Sequence, residues 1–133
     1  MDLNRVYVGH SDNTDDMDYL TGLAEKGAYI GLDGLRVTGN GSGTPGLQQR
    51  IDIAAKLIEA GFAHRMMLSH DWSGLGDMFG GKEARRESER LNPEGYLVIS
   101  REVLPRLRQM GVSEETIDQI MVENPRRFFE GRQ

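Results

Sequence analysis

His10 and Asp71 are the residues whose types and positions best suit chemistry. His10 follows Val6-Tyr7-Val8-Gly9, and Asp71 follows Met66-Met67-Leu68-Ser69-His70. Each closes a short β-rich run, so each is expected at a strand end. Strand alternation places Val6, Val8 and His10 on one face, and Met67, Ser69 and Asp71 likewise. A neutral imidazole and a carboxylate converging there would suit a divalent transition metal. Zinc accepts both donors at about 2.0–2.2 Å, and Co, Mn or Fe tolerates the same N/O set. Two ligands are fewer than the three a catalytic zinc site takes from its protein. The alternative makes Asp71 a helix cap and His10 an ordinary hydrogen-bonded histidine.

The neighbouring residues divide between structure and site. Asp33 closes a further run, Ala28-Tyr29-Ile30-Gly31-Leu32. His70 points to the other side of its strand from Asp71, which suits packing or support of a ligand. Trp72 is either core or the wall of a pocket at the mouth of a sheet. His64, beside Arg65, reads as a surface residue. Asp12, Asp15 and Asp16 precede a helical stretch, where acids stabilise a helix N-terminus, and are read as caps in preference to ligands. Arg36 lies near enough in sequence to Asp33 to meet an anionic or carbonyl oxygen.

The elements that must position these residues follow from periodicity and punctuation. Met17, Leu20 and Ala24 share a helical face that Gly27 terminates. Leu47, Ile51, Ala54, Ala55 and Ile58 mark a second helix, ended by Gly61. Residues 65–69 form the third strand. A charged, exposed helix is expected over 82–91. An amphipathic one carries Val103, Leu104, Leu107 and Met110, and a last one is capped by Ser113 and ends at Asn124-Pro125. Strands alternating with helices imply parallel βαβ units with right-handed crossovers. In such sheets chemistry collects at the C-terminal strand ends. Residues 34–46 hold five glycines and Pro45, and 73–95 hold further glycines. The spacing lacks the Lys-Ser/Thr pair of a phosphate-binding loop, so both read as loops over a pocket.

Composition sets the outer bounds. The chain has 133 residues, 16 Lys+Arg and 21 Asp+Glu, and a formal charge of −5. One domain is expected, and nucleic acid is disfavoured as a partner because its binders need clustered positive charge. The absence of Cys excludes disulfides, thiolate metal sites and Cys nucleophiles. No apolar run approaches the roughly 20 residues of a membrane span, and no secretory signal is visible, so a cytoplasmic location is expected. The hydrophobic fraction, 38%, is modest for a domain with a large core.

Four blocks carry a more specific signal: residues 6–16, Tyr29-Ile30-Gly31-Leu32-Asp33, Met67-Leu68-Ser69-His70-Asp71-Trp72, and Asn124-Pro125-Arg126-Arg127-Phe128-Phe129. In order and spacing they resemble strands six, seven and eight and the C-terminal signature of the phosphotriesterase family. The resemblance implies a (β/α)8 TIM barrel of the amidohydrolase type. In that family a two-metal centre activates a bridging hydroxide that attacks a phosphotriester, lactone or related ester.

It further implies that His10 and Asp71 are metal ligands and that Asp71 also accepts a proton. Trp72, Arg36 and Asp33 would border the substrate. The remaining ligands of the family have no counterpart among these residues. Asn13 stands where the family has an Asp, and Gly34 where it has His or Arg, so the family's proton relay is interrupted.

A whole barrel takes about 250 residues. Residues 1–133 are therefore expected to form a partial (β/α)8 barrel, strands six to eight plus the C-terminal helices. The end strands would have unpaired edges that a second chain or further copy would cover. The implied function is metal-dependent hydrolysis of a small-molecule ester, with zinc the first choice of metal. The alternative is a non-catalytic remnant or one piece of a split barrel.

Overall fold

Three short apolar runs form the sheet. In the computed structural model, which describes residues 2–36, 43, 45–72 and 81–131, they are β1 (Tyr7–Val8), β2 (Tyr29–Leu32) and β3 (Met66–Leu68). The strands are parallel and lie in the order β1-β2-β3. Tyr7 pairs with Tyr29 and Val8 with Ile30. Ile30, Gly31 and Leu32 pair with Met66, Met67 and Leu68. Spatial order equals chain order, so each crossover joins adjacent strands.

The helices follow the punctuation. Helix α1 (Met17–Glu25) joins β1 to β2, and α2 (Leu47–Glu59) joins β2 to β3. Asp16 caps α1 by accepting the Tyr19 N–H at 3.0 Å. Gly27 and Gly61 take positive φ just past the two helices, where a Cβ would be strained. Alternation along β2 splits its buried residues between the two faces. Ile30 and Leu32 join Met66, Leu20 and Ala24 of α1, and Ile51, Ala54 and Leu57 of α2 in the core. Tyr29 lies on the opposite face, edge-on to Phe128 with centroids 5.5 Å apart.

Beyond β3 the chain is helical. Helix α3 (Gly81–Leu91) is charged, exposed and laced by Arg85–Glu89 and Arg90–Glu87 pairs. A π-helical turn Ile99–Val103 runs into α4 (Leu104–Gln109) and buries Val103 and Leu107. Met110, expected on the same buried face, lies past the helix and is 49% exposed. Ser113 caps α5 (Glu114–Asp118) through the Thr116 N–H.

The last helix does not end at Asn124-Pro125. A second π turn, Gln119–Glu123, feeds α6 (Asn124–Glu130). Pro125 lies in the first turn of α6, where its missing N–H matters least. Asn124 is fully buried and donates to the carbonyls of Ala63 and Met66, both at 2.7 Å. No helix among the described residues is long and apolar enough to cross a membrane. Parts of the two glycine-rich loops, residues 37–42, 44 and 73–80, lie outside the described residues.

Candidate active site

Polar side chains gather beyond the C-terminal ends of the strands, and two ion pairs organise them. The first joins β1 to β2. Asp33 follows β2 directly; its Oδ1 accepts the backbone N–H of His10 at 2.7 Å and lies 2.7 Å from Nδ1 of the same residue. A carboxylate cannot donate, so Nδ1 of His10 carries the proton. None of the described residues bonds its Nε2, and the side chain is 57% exposed. Oδ2 of Asp33 accepts the Tyr7 hydroxyl at 3.2 Å.

The second pair joins the β2 loop to β3. Nη1 of Arg36 meets Oδ2 of Asp71 at 2.8 Å and the carbonyls of His70 and Asp71 at 3.1 Å. His70 has the opposite tautomer to His10. The Trp72 N–H donates to its Nδ1 at 2.9 Å, so the proton sits on Nε2. Burial, then the Arg36 charge, hold the His70 imidazole below its ordinary pKa, with Asp71 opposing. The His70 ring lies edge-on to Tyr96 at 5.5 Å. The expected supporting or packing role of His70 therefore has its partners.

Strand alternation does not place the two candidate ligands. β1 stops at Val8 and β3 at Leu68, so His10 and Asp71 lie two and three residues beyond their strands. Both sit in the left-handed region, His10 at φ 54° and Asp71 at φ 46°. No other non-glycine residue among those described has positive φ. No cluster of three or more metal-binding side chains occurs among the described residues. His10 is brought to Asp33 and Asp71 to Arg36.

Asp12 is not a helix cap. It is fully buried, pairs with Nη1 of Arg50 at 2.7 Å and accepts the Gly34 N–H at 2.9 Å. Arg50 reaches in from α2, 3% exposed at its side chain. Its other nitrogens donate to the Pro45 carbonyl and to Oδ1 of Asn13, both at 2.9 Å. A Cβ on Gly34 would fall 2.8 Å from Cζ of Arg50 and nearer still to Nη1. One buried guanidinium thus contacts Asn13 and fills the side-chain space at Gly34. The helical spacing Leu47, Arg50, Ile51, Ala54 puts Arg50 on the buried face of α2. That spacing was the signal that could have found it.

The phosphotriesterase family's sequence profile matches residues 1–129. A phosphotriesterase homology protein of Mycobacterium tuberculosis is 36% identical over 98% of the chain and 38% of its own length. An aryldialkylphosphatase of Saccharolobus solfataricus is 33% identical over 97% and 40%. The solved structure of the phosphotriesterase from Mycobacterium tuberculosis superposes with a TM-score of 0.79 at 34% identity, covering 98% of this chain and 38% of that one. The chain spans about two fifths of the length of these relatives. The profile match over residues 1–129, the identity to these relatives and the shared α/β fold with its parallel sheet establish that the chain belongs to the phosphotriesterase family.

Proposed function

We propose that the chain is part of a metal-dependent ester hydrolase. Residues 1–133 would supply strands and loops of a single phosphotriesterase-like barrel, with further polypeptide covering the free edges of β1 and β3. His10, through Nε2, and Asp71, through its carboxylate, would hold a divalent cation, with zinc preferred over Co, Mn or Fe. Such an ion supplies Lewis acidity at the ester oxygen and lowers the pKa of a bound water.

The carrying observation is the backbone. His10 and Asp71 are the two non-glycine residues in left-handed conformations among those described. Such strain costs on the order of 1–3 kcal/mol per residue and concentrates at functional sites. Asp33 supports the reading, because its hold on Nδ1 leaves Nε2 of His10 as the available donor. Asp71 would also accept a proton. Arg36 would pass from the Asp71 carboxylate to the two carbonyls it already holds, and would border a lactone, carboxylic ester or phosphotriester together with Trp72. The buried Arg50 at the interrupted relay favours a lactone or carboxylic ester over a phosphotriester.

Zinc titration by calorimetry, with the sedimentation state recorded in the same buffer, tests the ligand set. Binding is expected once the chain is joined by the polypeptide that completes the barrel, and is lost there in both His10→Ala and Asp71→Ala. Full zinc occupancy in Asp71→Ala would remove that residue from the set. Hydrolysis of lactones, aryl esters and phosphotriesters by that completed, zinc-loaded barrel then tests the activity.

A further inference from the structure

Tyr7 has a place in this site that no strand-end motif assigns. It lies in β1 opposite Tyr29, and alternation puts Gly31 on the same face of the sheet. A Cβ on Gly31 would fall 2.8 Å from Cε1 of Tyr7, and nearer still to the hydroxyl end of the ring. Only glycine leaves room for the ring to lie there. Phe128 of α6 flanks the same ring at a centroid distance of 6.3 Å. Seated between them, the phenol reaches Oδ2 of Asp33 at 3.2 Å.

The consequence lies in the freedom of a carboxylate. The terminal torsion of Asp is broad and weakly held. His10 meets only Oδ1, with its backbone N–H as a hydrogen bond and its Nδ1 as a close contact. A donor on Oδ2 fixes the rotation of the carboxylate and so the direction from which Oδ1 meets the imidazole. We propose that Tyr7 is a positioning residue: seated over Gly31, it locks the Asp33 carboxylate and thereby fixes His10 as the Nδ1–H tautomer with Nε2 available to a ligand. Burial, then the charge of Asp33, hold the phenol above its usual pKa range, so it remains a donor where the carboxylate is ionised. The significance for metal binding rests on the ligand reading above, but the orientation of His10 does not.

The test uses the 15N-labelled 133-residue chain. Long-range proton–nitrogen correlation reads the His10 tautomer without metal, and zinc calorimetry of the completed barrel reads affinity. The parent chain is expected to hold the Nδ1–H form. Tyr7→Phe keeps the ring on Phe128 and removes the hydroxyl. It is expected to shift the population several-fold toward the Nε2–H form that exposed imidazoles favour, and to weaken zinc binding about tenfold. If Tyr7→Phe does not fold, Tyr7→Met carries the same expectation with a flexible apolar side chain.

An unchanged tautomer population in the folded variant overturns the proposal, as does an Nε2–H parent. A tautomer shift with no zinc binding by the completed barrel upholds the role of Tyr7 and removes the ligand reading instead. A loss of zinc affinity with the tautomer unmoved also overturns the positioning role.

Discussion

His10 and His70 show how one residue type is set to two tasks by a single hydrogen bond each. Asp33 draws the proton of His10 to Nδ1, and the Trp72 N–H forces that of His70 to Nε2. Protonating His70 at Nδ1 removes the acceptor that Trp72 needs. The folded chain holds its pKa below the ordinary 6.5, so the unfolded chain binds more protons in that range. The contribution of His70 to stability is thus full above pH 6.5 and is lost as the pH falls through the folded value. Trp72, the chain's one tryptophan, reports on this locally. Its fluorescence-monitored urea midpoint is expected to fall between about pH 7 and pH 5, and to fall less in His70→Gln. At this scale the sequence exposed the residue types and their strand-end placement. It did not expose Asp33 as a partner of His10, because 23 residues separate them and only the β1–β2 register brings them together.

The elements were legible wherever a local rule decides them. Gly27, Gly61, Asp16 and Ser113 mark helix ends by local chemistry, and each stands where that chemistry requires. Asp12 misled because acids before a helix look alike until burial separates them. Two substitutions make the distinction measurable by urea denaturation. Asp16→Ala removes one exposed cap and is expected to destabilise by about 1 kcal/mol. Asp12→Ala strands the Arg50 guanidinium in the interior, and about 3–5 kcal/mol is expected. Equal losses would return Asp12 to the class of simple caps. Asn124-Pro125 misled in the opposite direction. Proline usually stops a helix, but here it opens a new helical turn, and Asn124 is spent on tertiary bonds that no local pattern reveals.

Across the whole molecule, buried polar side chains join parts that are far apart in sequence. Arg50 joins α2 to the turn after β1, and Asn124 joins the start of α6 to both ends of the segment entering β3. Asn124→Ala leaves the Ala63 and Met66 carbonyls without those donors, for which about 2–4 kcal/mol is expected from the loss of two hydrogen bonds. Hydrogen exchange offers the check: protection should fall across β3 and residues 63–66 while α1 is little affected. Uniform loss everywhere would mean a single cooperative unit with no local clamp. The fold class was legible at this scale because alternating strands and helices admit few arrangements. A part-length match was expected from the four blocks and the size of a whole barrel, and the relatives are covered over 38% and 40% of their length.

The Asn124 bonds also bear on the order in which the chain acquires structure during synthesis. β1, β2 and β3 can be added one after another as they emerge, because spatial order follows chain order. The carbonyls of Ala63 and Met66 must wait for a donor 61 and 58 residues further along. At ribosomal rates of about 5–20 residues per second, that wait lasts roughly 3–12 s. During it the third strand lacks the clamp at its entry, and its edge is open to pairing with a neighbouring nascent chain.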